Sequence, residues 1–126
     1  MACSNPVMTV GIDVGARLPQ LVAELARHSF HLVTIPADED LLAALEAAAA
    51  TLIMVYHRPE EDTARRVLGV LARAGRKIPV IVLVDQSDFA EYYEFMCEGA
   101  FDYFDLTEDP RWIERAVEAA AMLQAA

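Results

Sequence analysis

The chain has 126 residues, 56% of them hydrophobic, which suits one domain with a sizeable core and leaves no room for a second, so residues 1–126 are expected to form a single domain. Its 20 acidic and 10 basic side chains give a formal net charge of -10, a balance that repels phosphate backbones and anionic lipid surfaces and argues against direct nucleic-acid or membrane binding. Taken alone, the surplus acid is a solubility feature.

Met1 to Pro6 carries no basic flank and no long apolar run, so no signal peptide is expected. Val7 to Val14 is short and β-branched and stops at Gly15, the pattern of a buried strand and a turn. Leu18, Leu21, Val22 and Leu25 repeat at helical spacing, with Pro19 tolerable in the first turn. Phe30 to Ile35 reads as a second strand ended by Pro36. Asp38 or Asp40 can cap the helix that follows, whose stripe is Leu41, Leu42 and Leu45. The small residues Ala47 to Ala50 are expected to let that helix lie close to its neighbours.

Thr51 to Tyr56 is a third apolar strand, left by the polar loop His57, Arg58, Pro59. From Glu60 a charged face alternates with Ala64, Val67, Leu68 and Leu71, an amphipathic helix that Gly75 is placed to stop. Pro79 opens Val80 to Val84, whose continuous hydrophobicity suits a central strand covered on both faces. Ser87 can cap the next helix, which carries Phe89, Tyr92, Tyr93 and Met96 and ends at Gly99. Phe101 to Leu106 alternates aromatic and acidic residues as a one-sided strand does. Asp109 followed by Pro110 starts the last helix, with Ile113, Ala116, Val117 and Ala120 on one stripe.

Five strand-then-helix units in a row predict an α/β fold: a five-stranded parallel sheet with helices on both faces, since parallel neighbours need crossover connections. No stretch approaches the roughly 18 apolar residues of a membrane span. Cys3 and Cys97 lack metal-ligand spacing and disulfide density, as expected of reduced thiols in a cytoplasmic protein. In such sheets ligands and chemistry sit at the carboxyl ends of the strands, so the informative residues are Asp13, Val55 to Pro59, Val84 to Ser87 and Leu106 to Asp109.

The order of elements and the run Gly99, Ala100, Phe101, Asp102, Tyr103, Phe104 resemble the response-regulator receiver family, of the chemotaxis-receiver type, in which a Gly-Ala-x-x-Tyr stretch leads into the fifth strand. Pro79 to Val84 looks like that family's fourth strand. The resemblance implies a flavodoxin-like fold and a place in two-component (phosphorelay) signalling. It also implies a phospho-accepting Asp ending the third strand, an acidic pair after the first that holds Mg²⁺, a Thr or Ser ending the fourth, and a Lys-Pro pair ending the fifth.

Laid onto this chain, the accepting position falls on Val55, counting back from Pro59, or on Tyr56 if the loop is one residue shorter. Neither side chain can form an acyl phosphate. The hydroxyl position falls on Val84, the Lys-Pro pair becomes Leu106-Thr107, and of the acidic pair only Asp13 remains, one carboxylate where Mg²⁺ prefers several oxygens. The resemblance is thus to a degenerate pseudo-receiver with no catalytic residues, no metal and no cofactor, whose pocket is made apolar by Val55, Val84 and Leu106.

Other polar residues read blandly. Asp13 is a vestigial acid that caps a helix or faces solvent, Asp85 a solvated loop residue, His57 a plain loop histidine, and His28 and His31 have no role. Tyr92, Tyr93, Phe95 and Met96 are too many large groups for one helix face; core filling takes most of them and a contact patch the rest. In receivers the fourth helix, fifth strand and fifth helix mediate dimerisation or partner contact, which makes Tyr92, Phe101, Tyr103 and Trp112 the interface candidates, with Tyr103 at the family's switch aromatic.

The expected function is a phosphorylation-independent regulatory domain, not an enzyme. It would act through a protein partner, a homodimer or a covalently linked output domain, as the amino-terminal part of a longer regulator. Three alternatives stay open: a small-ligand sensor of flavodoxin-like fold, a receiver still phosphorylated at a non-standard acid, and a phosphotransferase-type ATPase piece suggested by Gly11-Ile12-Asp13-Val14-Gly15. The last needs two large domains, and the ligand sensor lacks a G-x-G-x-x-G loop after the first strand.

Overall fold

The computed structural model describes residues 7–12, 14, 30–36 and 40–125. Cys3, Asp13, Gly15, the expected helix through Leu18 to Leu25, His28 and Asp38 lie outside them.

Among the described residues nine elements follow one another: β1 (Val7–Ile12), β2 (Phe30–Ile35), α1 (Leu41–Ala48), β3 (Leu52–Tyr56), α2 (Thr63–Ala74), β4 (Val80–Val84), α3 (Phe89–Cys97), β5 (Asp102–Asp105) and α4 (Pro110–Ala125). The five strands form one sheet in the order β2-β1-β3-β4-β5. Every pairing is parallel, with Ile12 opposite Ile35 and Val55, Val55 opposite Val82, and Val84 opposite Asp105. This is the doubly wound order of flavodoxin-like folds.

Successive strand side chains point to opposite faces, and the sheet accordingly separates two cores. One joins Val10, Val55, Val82 and Val84 to Leu45 of α1, Val67 of α2 and Phe95 of α3. The other joins Leu52, Met54, Ile81 and Leu83 to Ile113 and Val117 of α4. β3 and β4 are buried along their whole length, which is why they read as unbroken apolar runs.

Helix ends follow local chemistry. Asp40 caps α1 by accepting from the Ala43 N–H at 3.2 Å. Of the small residues Ala47 to Ala50, the first two complete α1, Ala49 takes a left-handed conformation with φ 51 and stops the helix, and Ala50 is buried beside it. α3 is capped by Asp88, whose carboxylate accepts from Ala90 and Glu91 N–H groups, and not by Ser87. Gly75 ends α2 with φ 66, a conformation glycine adopts without a Cβ penalty.

Candidate functional site at the carboxyl edge of the sheet

The end of β3 is apolar and dry. Val55 is fully buried between strands that are themselves covered, and it belongs with Val82 and Val84 to the core under α1, α2 and α3. Tyr56 follows on the opposite face, also buried, and its hydroxyl donates to Asp85 Oδ2 at 2.5 Å across the ends of β3 and β4. Asp85 is therefore a tyrosine partner and not merely a solvated loop residue.

Val55, Val84 and Leu106 do not line one pocket, as the sequence led us to expect. Val55 and Val84 share the first core, whereas Leu106 packs half-buried against the second. Strand alternation explains the difference: Tyr103 and Asp105 are the buried side chains of β5, and Phe104 and Leu106 point the other way. The side chain that β5 brings to the Val84 face is an acid.

That acid has its oxygens occupied. Asp105 Oδ1 accepts from the Thr107 N–H at 2.7 Å and the Thr107 hydroxyl at 2.6 Å, and Oδ2 accepts from the Ser87 N–H at 2.7 Å. The Thr107 hydroxyl first, then the backbone donors, hold its pKa down at about 2. One carboxylate thus ties the loop after β4 to the loop after β5. An Asp followed two residues later by Thr is a signal for this kind of side-chain-to-backbone turn, and it is readable at Asp105-Leu106-Thr107.

His57 departs most from its sequence reading. It is 3% exposed, and its Nδ1 accepts from the Ala64 N–H at 3.2 Å in the first turn of α2. The residue at the usual capping place, Asp62, is left-handed with φ 52 and makes no side-chain cap bond, so the imidazole supplies the missing acceptor. An accepting Nδ1 puts the neutral ring's proton on Nε2, which lies 3.7 Å from Glu91 Oε2. The ring also stands edge-on to Phe95 with centroids 5.0 Å apart. Burial pushes the His57 pKa below its ordinary value, against the opposing pull of Glu91, Asp62 and Glu60 and with a lesser push from Arg65.

Glu91 links this corner to β5. The Tyr103 hydroxyl donates to Glu91 Oε1 at 2.6 Å and accepts from the Asp88 N–H at 3.2 Å. Tyr103 is 6% exposed, so it is not the surface residue that the interface reading required. Phe101 is half-buried against the second core. Tyr92 and Trp112 are exposed as expected, and with them Phe89 and Tyr93. On α3, then, Phe95 fills the core, Met96 packs against it, and both tyrosines face outward.

Among the described residues no group of three or more His, Cys, Asp or Glu side chains is placed to hold a metal ion, and no helix is long and apolar enough to cross a membrane.

No protein-family model and no curated protein matches the chain. Solved structures do match in shape. FixJ-N is 20% identical with a TM-score of 0.77, covering 95% of this chain and 96% of that one. A response regulator receiver domain protein from Clostridium thermocellum is 18% identical with a TM-score of 0.74, over 94% and 97%. A CheY-like protein, TadZ, from Pseudomonas aeruginosa is 18% identical with a TM-score of 0.75, over 90% and 98%. At such identities the likeness establishes the fold: five parallel strands wound as in receiver domains.

Proposed function

We propose that the chain is a receiver-like regulatory domain of two-component signalling that works by protein contact and does not accept a phosphoryl group. The observation that carries this reading is Val55, a fully buried aliphatic side chain in the core at the end of β3, where the fold's chemistry would need an accessible carboxylate nucleophile. Asp105 supports it, because its carboxylate already accepts three hydrogen bonds and offers little to an incoming phosphoryl group or cation.

The contact surface in this reading is the exposed aromatic set Phe89, Tyr92 and Tyr93 on α3 with Trp112 on α4. Large exposed apolar groups favour association where they form a patch, and Phe89 and Tyr92 lie side by side with ring centroids 6.4 Å apart. The partner is a second copy, a separate protein or a linked output domain. The domain has no enzymatic activity of its own, needs no cofactor and acts in the cytoplasm.

Incubation of the purified chain with acetyl phosphate and Mg²⁺, followed by intact-mass analysis, is expected to leave it unmodified. Stoichiometric phosphorylation of any side chain would overturn the reading.

One observation favours a second reading, a small-ligand sensor. A cavity of about 220 Å³ between α1 and α2 is lined by Ile12, Ile35, Leu41, Thr63, Arg66 and Val67, and the buried Thr63 hydroxyl has no hydrogen-bond partner. A stoichiometric small molecule in native mass spectra would support this reading; spectra of the bare chain count against it.

A further inference from the structure

We propose that His57, Glu91 and Tyr103 form a protonation-sensitive latch that joins the first turn of α2 to the α3 and β5 face and stays shut while His57 is neutral. The two ends of the latch belong to different elements. At one end His57 Nδ1 is the acceptor for the Ala64 N–H. At the other, Glu91 Oε1 is the acceptor for the Tyr103 hydroxyl. Between them, His57 Nε2 and Glu91 Oε2 face each other at 3.7 Å, beyond hydrogen-bond length and within reach of an ion pair.

A single proton taken from solvent onto Nδ1 disturbs both ends. It places an N–H against the Ala64 N–H, two donors with no acceptor between them. α2 has no substitute ready, since Asp62 makes no side-chain cap bond. The ring becomes a cation opposite Glu91, and drawing that carboxylate toward Nε2 competes with the bond it accepts from Tyr103. Tyr103 in turn stacks edge-on with Tyr92 at 5.8 Å and lies 6.0 Å from Phe95. A change at His57 therefore reaches the exposed aromatic set through packed rings.

The charged groups acting on His57 come from three places. Glu91 on α3 and Asp62 and Glu60 in the loop before α2 favour its cation, while Arg65 on α2 opposes it. Desolvation outweighs the carboxylates, so the ring is neutral near neutral pH and the latch is closed. The sign follows: with the folded pKa below the unfolded value of about 6.5, the unfolded chain binds more protons in the window between them. Stability is complete above that window and declines as the pH falls through it.

The latch makes no use of a phosphoryl group, so its test stands apart from the phosphorylation test. The labelled 126-residue chain is titrated from alkaline to mildly acidic pH by NMR, following the His57 imidazole, the Ala64 amide and the Tyr103 ring. We expect one shared midpoint below about 6.5 and faster hydrogen exchange at Ala64 on the acid side. His57→Gln keeps an acceptor but cannot titrate, and its Ala64 and Tyr103 transitions should vanish. Glu91→Gln keeps the bond to Tyr103 without the charge, and it should lower the His57 and Tyr103 midpoints together. Three results overturn the latch: His57 titrates while Ala64 and Tyr103 stay still, their transitions survive in His57→Gln, or the Tyr103 midpoint is unmoved in Glu91→Gln. If His57→Gln does not fold, the wild-type coincidence and the Glu91→Gln midpoint decide between the two outcomes.

Discussion

Val55→Asp restores, on paper, the carboxylate that a phosphoryl acceptor needs, and the structure says what it meets there. The valine is fully buried against covered strands, and burial of such a side chain is worth about 1.5–3 kcal/mol. A carboxylate in its place either stays charged in the core, at several kcal/mol, or takes up a proton. The second route, at about pH 7, costs about 4 kcal/mol, roughly 1.36 kcal/mol for each of the about 3 pH units above an ordinary aspartate. Together the lost burial and the protonation cost come to about 5–7 kcal/mol, against a total of about 5–15 kcal/mol for a typical domain. The folded pKa of the new acid is raised, so the folded chain binds the extra proton and the loss grows with pH. Near pH 5 protonation costs only about 1.5 kcal/mol, and the destabilisation should shrink by about 2.7 kcal/mol. Urea titrations of wild type and variant at both pH values, compared at each, measure this directly. A loss under about 1 kcal/mol at neutral pH, or one that does not change with pH, would show that water and charge are welcome at this position, and the argument from its dryness would fail.

Phe95→Ala removes a fully buried ring that meets His57, Tyr103 and the Arg65 guanidinium; chemical denaturation should show a loss of about 3–5 kcal/mol. Tyr103 has its pKa pushed well above the ordinary tyrosine value by burial first and by its bond to Glu91 second. In an alkaline absorbance titration Tyr103 should therefore ionise only well above the ordinary tyrosine range, and Tyr103→Phe should remove a late component of the curve. Two substitutions at left-handed positions should act with opposite signs. Ala49→Gly relieves a non-glycine residue at φ 51 and should raise stability by up to about 1 kcal/mol, while Gly75→Ala, at φ 66 with open space around it, should lower it by about as much.

The strands were legible because parallel central strands must be apolar along their length. Val80 to Val84 and Thr51 to Tyr56 announced themselves as runs, and the structure places them as β4 and β3 with at most one residue of difference. Gly75 was legible for the same kind of local reason, a backbone conformation that few other residues adopt. The site was harder to read. His57, in a polar stretch with Arg58 and Pro59, carried no sign of burial, because its depth and its acceptor role come from α2 and α3 closing over it. Glu91 reads as one more surface acid on a helix, and only the fold brings it to both Tyr103 and His57. Tyr103 showed its strand position but not its depth. Nothing local distinguishes the inward ring of β5 from the outward tyrosines of α3.

The charges at this edge of the sheet bear on what can signal through it. Asp85 and Asp88 in the loop after β4, Glu91 in the first turn of α3, Asp105 at the end of β5 and Glu108 in the loop that follows it lie along this edge, while Leu106 is turned toward the other core. A phosphoryl dianion brought here would meet like charge. A single uncompensated pair at 4 Å corresponds to about 4 kcal/mol at the effective dielectric of a protein surface. The acids are held in place because donors meet them from within: Tyr56 on Asp85, Ser87 and Thr107 on Asp105, the Asp105 N–H on Glu108, and Tyr103 on Glu91. These internal bonds fix the loops that an incoming phosphate would otherwise have to organise. Under the proposed reading, a domain with its loops fixed by its own carboxylates changes state through something that competes for those bonds, such as a proton at His57 or a partner on the aromatic face. For that reason the two experiments most able to distinguish a passive scaffold from a switch are the His57 titration and partner binding measured across the same range of pH.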